Sequence, residues 1–107
     1  MSTIRISIPK TAIVGEIIEI KTLIQHPMKS GFGRDARGQV IPRDIIKFFQ
    51  CDYIDETVFE AELFPSTAAN PFISFFTRVT KSGTFTFTWT DMNGKKWVET
   101  RNISIAE

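Results

Sequence analysis

The side chains best suited to chemistry each occur once in this sequence: the histidine is His26 and the cysteine is Cys51. A cysteine beside a histidine can act as a thiolate nucleophile. Both residues fall on the core faces of predicted strands that could be neighbours, so contact between them is conceivable. Cys51 stands between Phe49 and Tyr53 on one strand face, however, and apolar burial raises a thiol pKa and makes the group inert. The pattern favours a buried core cysteine, with a catalytic, redox or interchain role as the alternatives.

The remaining polar residues predict neither a metal centre nor a catalytic acid–base pair. One histidine and one cysteine cannot form a zinc site from those residue types alone. Glu60 and Glu62 share an outer strand face, and a solvated surface explains them. The SGFG run at 30–33 lacks the spacing of a phosphate-binding loop and no predicted helix follows it. We therefore predict a protein that is not an enzyme, with no cofactor, and expect His26 to pin its loop by hydrogen bonding.

One segment, residues 25–46, interrupts the strand patterns that must position these groups. About fifteen of its residues fit neither helix nor strand, and loops of that length in compact domains are usually functional or disordered. Its four bases and two acids give 4 − 2 = +2, against +1 for the whole chain. Arg34 and Asp35 could pair within the loop or with a partner, and Arg43 could anchor its return to the next strand.

Alternation of apolar and polar residues predicts seven strands, at residues 3–8, 16–26, 45–54, 57–64, 72–80, 84–90 and 96–105. Turns are predicted at 55–56, at 82–83 and, because Asn-Gly accepts positive φ angles, at 91–94. Adjacent Trp97 and Val98 indicate a bulge in the last strand. With no helix, this pattern predicts an all-β fold, an immunoglobulin-like β-sandwich of about seven antiparallel strands in two sheets.

Length and composition indicate one domain, residues 1–107, with a hydrophobic core and near-neutral charge. Nucleic-acid binding is therefore not expected, and no apolar run is long enough to span a membrane. The amino terminus resembles a strand and not a signal peptide. On their own, the strand-like amino terminus and the single cysteine would indicate a cytoplasmic protein.

Several apolar residues fall on the predicted outer faces of the strands, where a lone sandwich should be polar. They are Ile17, Leu23, Ile46, Phe48, Ile54, Phe64, Phe72 and Phe76. A partner subunit would explain them, and a register error or bulges in the strand assignment is the alternative. Without its partner, such a face could also pair two copies of the chain.

Three segments together resemble the SoxZ family of sulfur-oxidation proteins. They are QHPM with GFGRDARGQVIPRDII at 25–46, STAANPFISF at 66–75 and SGTFTFTWTDMNG at 82–94. The resemblance runs the length of the chain, and the first segment is its most specific part. It implies an immunoglobulin-like subunit that pairs with SoxY in the SoxYZ sulfur-carrier complex of thiosulfate oxidation.

In that family SoxY carries the sulfur covalently on a cysteine of a glycine-rich C-terminal arm. The complex presents intermediates to c-type cytochromes, a manganese-dependent thiosulfohydrolase and, where present, a sulfur dehydrogenase. The tail of this chain, ETRNISIAE at 99–107, has neither the cysteine nor the glycines of that arm. Cys51 falls in the middle of a predicted strand and is not assigned the carrier role. The resemblance implies a periplasmic protein exported with a signal-bearing SoxY, although a missing signal equally fits a cytoplasmic one.

The expected function is therefore a non-catalytic subunit that contacts other proteins. The residues predicted to make those contacts are His26, Met28, Arg34, Asp35, Arg43, Phe48, Phe72 and Phe76. Two alternatives stay open from the sequence: a generic β-sandwich protein-binding module, and a redox protein that uses Cys51.

Overall fold

The computed structural model describes residues 3–106, which form eight strands and no helix. No helix capable of crossing a membrane occurs in this part of the chain. The strands are β1 (Ile4–Ser7), β2 (Thr11–Ile13), β3 (Ile17–Ile24), β4 (Ile46–Tyr53), β5 (Glu56–Glu62), β6 (Phe72–Arg78), β7 (Gly83–Asp91) and β8 (Lys96–Ala106).

The strands form two sheets that face each other, in the orders β1-β3-β6 and β2-β8-β7-β4-β5. All pairings are antiparallel except that of β2 with β8. This arrangement confirms the all-β, immunoglobulin-like sandwich. Strand β2 was not predicted, because three residues are too few to show an alternation; it pairs Ala12 with Ile105 in parallel.

Alternation in β7 places Phe85, Phe87 and Trp89 in the core, where all three are fully buried, as the sequence predicted. The two sheets meet through aromatic contacts: the rings of Phe59 on β5 and Phe75 on β6 stack at 4.4 Å. Aromatic pairs at such distances add to the free energy gained by burying their area.

The predicted bulge at Trp97 and Val98 is wrong, because β7 and β8 pair without a register shift. Register shifts lie elsewhere: Lys47 is an extra residue of β4 between Ile46 and Phe48 in its pairing with β7, and Val58 is an extra residue of β5 opposite Cys51 and Asp52. The first of these buries Ile46 completely, which corrects its predicted place on an outer face. A bulge lets two neighbouring residues oppose one partner, so strict alternation fails there.

The turn between β4 and β5 occupies Ile54 and Asp55, one residue earlier than predicted. Ile54 has a φ of 59°, an uncommon conformation for a β-branched residue. The predicted turn between β7 and β8 is confirmed, with Gly94 at a φ of 87°. The Asp91 side chain accepts hydrogen bonds there from the backbone N–H groups of Asn93 and Lys95.

Candidate partner-recognition surfaces

The long segment between β3 and β4 is an ordered hairpin without regular strands. Lys29 and Asp44 exchange two backbone hydrogen bonds of 2.8 Å, and Arg34 bridges to Val40 further out. Residues 32–40 are all exposed. Residues 29–44, called here the basic hairpin, therefore project from the sandwich as one structured element.

Polar side chains hold the tip of the basic hairpin. Arg34 does not pair with Asp35; its Nη1 donates to the carbonyl of Gly38 at 2.9 Å. Asp35 Oδ1 accepts from the backbone N–H groups of Arg37 and Gln39. Both predicted residues thus shape the tip, and the ion pair considered within the loop does not form.

Arg43 holds the returning limb of the basic hairpin to the outgoing one, as predicted. Its Nε donates to the Ser30 carbonyl at 2.8 Å, and its guanidinium lies 5.5 Å from the centre of the Phe32 ring. A cation over an aromatic face is attracted by the ring quadrupole. Phe32, with 79% of its surface exposed, is therefore presented to solvent beside Arg43.

His26 joins the base of the basic hairpin to the sandwich. Its Nδ1 accepts the N–H of Met28 at 3.0 Å, and its Nε2 lies 3.6 Å from a carboxylate oxygen of Asp44. The ring meets Trp97 edge-on at 5.9 Å. These contacts confirm the pinning role predicted from the sequence, and Cys51 is not among them.

A second residue that anchors the base of the basic hairpin, Asn70, was not predicted from the sequence. Asn70 N donates to the His26 carbonyl at 2.8 Å, and Asn70 Oδ1 accepts from His26 N at 3.0 Å. Asn70 has a φ of 54° and precedes Pro71. An asparagine tolerates this conformation and an Asn-Pro pair marks a turn, so a signal was available, but only the fold identifies its partner.

Cys51 is fully buried in β4 and faces no chemical partner. It lies opposite Phe59 on one side and Phe87 on the other. Burial, and to a lesser extent the charge of Asp52, raises the pKa of its thiol to about 12. Within residues 3–106 no group of three or more His, Cys, Asp or Glu side chains could hold a metal ion.

The outer face of the smaller sheet is the main apolar surface on the strands. Ile17, Phe72 and Phe76 are 56–68% exposed there, and Leu23 pairs beside Phe72. Glu19 on the same face lies 3.8 Å from Lys21. Side chains of this size left in water on one sheet face are typical of a surface that binds another protein.

Comparison with known proteins decides the family. The sequence profile described as "Sulphur oxidation protein SoxZ" matches residues 4–102.

The chain belongs to the SoxZ family.

Solved structures resemble the SoxZ-family chain in fold. A superoxide reductase (neelaredoxin) from Ignicoccus hospitalis superposes with a TM-score of 0.73 at 13% identity, over 97% of this chain and 80% of that one. The sulfur carrier protein SoxY from Chlorobium limicola f thiosulfatophilum gives 0.69 at 15% identity, over 97% and 79%. At these identities the likeness shows the fold alone. A search of curated proteins gives no match.

The structure separates the predicted contact residues of this SoxZ-family chain into three places. His26 and Met28 are buried at the hairpin base, whereas Arg34, Asp35 and Arg43 lie along the basic hairpin. Phe72 and Phe76 lie on the smaller sheet, and Phe48 is half-buried on the outer face of the larger sheet. Two exposed surfaces therefore remain as candidates: the basic hairpin and the outer face of the smaller sheet.

Proposed function

We propose that this chain is the non-catalytic subunit that pairs with SoxY to form the sulfur-carrier complex of thiosulfate oxidation. The observation that carries the proposal is the family match over residues 4–102, which gives the chain a role in the sulfur-oxidation system. Its exposed apolar sheet face supports pairing, and the buried Cys51 supports a role without covalent chemistry on this chain.

In this proposal SoxY carries the sulfur adduct, and this chain supplies part of the body that the enzymes recognise. A sulfur adduct on a flexible arm of SoxY must stay close to a body that successive enzymes can recognise. Tethering raises the effective concentration of the adduct at each enzyme that docks the body. A rigid sandwich with an ordered loop supplies such a body, since recognition residues are commonly carried on loops held by a scaffold.

The basic hairpin is the second contact surface in this proposal. We assign the hairpin first to a contact with SoxY. The two other candidates for its binding partner are a docking enzyme and the anionic sulfur adduct. The docking enzymes are the c-type cytochromes, the thiosulfohydrolase and, where present, the sulfur dehydrogenase. A net charge of +2, from Lys29, Arg34, Arg37 and Arg43 against Asp35 and Asp44, suits any acidic partner surface.

The proposal also places the chain in the periplasm. On this account a signal-bearing SoxY carries the chain across the membrane as a folded complex. Removal of the signal from SoxY should then leave both chains in the cytoplasm. Periplasmic recovery of this chain in a strain that lacks SoxY would contradict that route.

The experiment that tests the function is purification of this chain from its native host during growth on thiosulfate. We expect SoxY to co-purify, with sulfur adducts found by intact-mass spectrometry on SoxY only. A folded chain that never brings SoxY with it would overturn the proposal. An adduct on Cys51 of this chain would support the redox alternative.

A further inference from the structure

The two sheets end in four edge strands, and three of them are poorly suited to pairing with another chain. Strand β1 has four residues and β2 has three. Strand β5 is longer, but Glu60 and Glu62 alternate along it. Short strands and edge charges are the usual protection against unwanted strand pairing. Strand β6 has seven residues, and Arg78 at its end is its one charged residue.

Among residues 3–106, no backbone hydrogen bond reaches β6 from the side that faces away from β3. The carbonyl of Pro71 accepts from Ile24 N, and Val79 N donates to the carbonyl of Glu16. Antiparallel pairing alternates, so residues 73, 75 and 77 also bond to β3. The backbone N–H and C=O groups of residues 72, 74, 76 and 78 therefore point to the open edge.

The same even-numbered residues carry the exposed apolar side chains. Phe72 and Phe76 are 60% and 68% exposed, with Ser74 between them on the same face. A strand added at this edge would bond to the free backbone groups and place its own side chains beside both phenylalanines. Cross-strand aromatic pairs of this kind stabilise a sheet. Free hydrogen-bonding groups and apolar side chains thus coincide on one edge.

We propose that β6 is extended by a strand of the partner subunit, which adds a fourth strand to the three-stranded sheet. The inference rests on the proposed function for the identity of that partner, SoxY. Strand addition of this kind uses main-chain hydrogen bonds for affinity and alternate side chains for specificity.

Charge favours a different chain over a second copy of this one. The outward charged residues of the three strands are Arg5, Lys21 and Arg78 against Glu19, which gives 3 − 1 = +2. Two copies joined edge to edge would place two such faces side by side. The segment that fits is extended, apolar at the positions beside Phe72 and Phe76, and acidic near Arg78.

Hydrogen exchange of individual amides tests the inference without any mutation. In the isolated chain the amides of residues 72, 74, 76 and 78 should exchange rapidly, while those of 73, 75 and 77 are protected by β3. Addition of SoxY should slow the even-numbered amides selectively. A complex in which they still exchange as in the free chain would overturn the inference. So would slowing in the isolated chain that grows with its concentration, because a second copy would then occupy the edge.

A proline variant gives the matching affinity test. Ser74→Pro removes one outward N–H, and proline is tolerated where a strand faces solvent. We expect its Kd for SoxY to rise about tenfold or more. Ser74→Ala keeps the N–H and should bind like the original chain. Glu60→Pro, on the free edge of β5, controls for proline itself and should also leave Kd unchanged.

The outcomes separate this inference from the proposed function. If the unchanged chain binds SoxY and folded Ser74→Pro binds equally well, the edge is not the site and the pairing stands. If the unchanged chain does not bind SoxY at all, the proposed function fails, and this inference with it. If Ser74→Pro does not fold, the exchange pattern of the unchanged chain decides.

Discussion

The Nδ1 atom of His26 accepts the backbone N–H of Met28 at 3.0 Å. In a neutral ring this leaves the proton on Nε2, the atom that lies 3.6 Å from Asp44. One buried side chain thus bonds to Met28, the residue just before the basic hairpin, and faces Asp44, the last residue of its returning limb. We therefore expect the position of the hairpin on the sandwich to depend on this ring.

Replacement of His26 by alanine should loosen the basic hairpin and destabilise the chain. It leaves the buried N–H of Met28 without its acceptor and removes the ring that packs on Trp97. We expect the free energy of unfolding to fall by about 1–3 kcal/mol in urea titrations. The amides of Lys29 and Asp44 should also exchange faster. Gln25→Ala, one residue earlier and exposed, is the control and should change stability little.

Replacement of Asp91 by alanine should destabilise the turn between β7 and β8. Asp91 is buried, and its Oδ1 accepts from the N–H groups of Asn93 at 2.9 Å and Lys95 at 2.8 Å. Loss of that acceptor should lower the free energy of unfolding by about 1–3 kcal/mol. Asn93→Ala leaves both bonds in place and serves as control. Equal effects of the two variants in urea titrations would contradict this explanation.

How far the sequence predicts this fold depends on the element. In β7, Phe85, Phe87 and Trp89 alternate with threonines, and the structure buries all three. In β4 the alternation misleads, because a bulge opposite β7 shifts the register and Ile46 enters the core. A bulge is set by the two strands that pair, and that information is not local. The parallel pairing of β2 with β8 could not be predicted from the sequence for the same reason.

The candidate site was predictable in outline from the sequence. The length and charge of the segment that became the basic hairpin, and the anchoring by His26 and Arg43, followed from local residues. The second pin, Asn70, is 44 residues away from His26, so only the fold brings them together. The free edge of β6 could not be inferred either, because it depends on which strands end the two sheets.

Cys51 should make the stability of the chain fall in alkaline solution. Burial, with a smaller effect of Asp52, raises its thiol pKa from 9.0 to about 12. Between these values the folded chain keeps a proton that the unfolded chain has lost, so the free energy of unfolding falls as pH rises. Urea titrations from pH 9 to 11 should show a shallower decline for Cys51→Ala. The same slope in both chains would contradict this assignment.

Replacement of Cys51 by serine should leave thiosulfate oxidation nearly intact in a system reconstituted with SoxY and its enzymes. The thiol is buried between phenylalanines and stays protonated at neutral pH, so it cannot act as a nucleophile. The measurement is the rate of thiosulfate consumption, with circular dichroism to show that the variant is folded. Complete loss of turnover in a folded variant would favour the redox alternative.

Reversal of charge at the tip of the basic hairpin should weaken recognition without harming the fold. Arg37→Glu changes an exposed side chain, and the contacts with Asp35 at this position use the Arg37 backbone N–H. We expect turnover in the reconstituted system to fall several-fold at low salt, with a smaller difference at high salt, since salt screens exposed charges. Lys10→Glu, an exposed base outside the hairpin, is the control. Equal losses in both variants would show that only net charge matters.

The most direct test of the central claim is sedimentation velocity of this chain mixed in equal amounts with SoxY from the same host. Each chain is also run alone to record its own oligomeric state. The account predicts one new species with the mass of a one-to-one complex. Two folded proteins that sediment separately, as they do alone, would contradict the claim that this chain is the partner of SoxY.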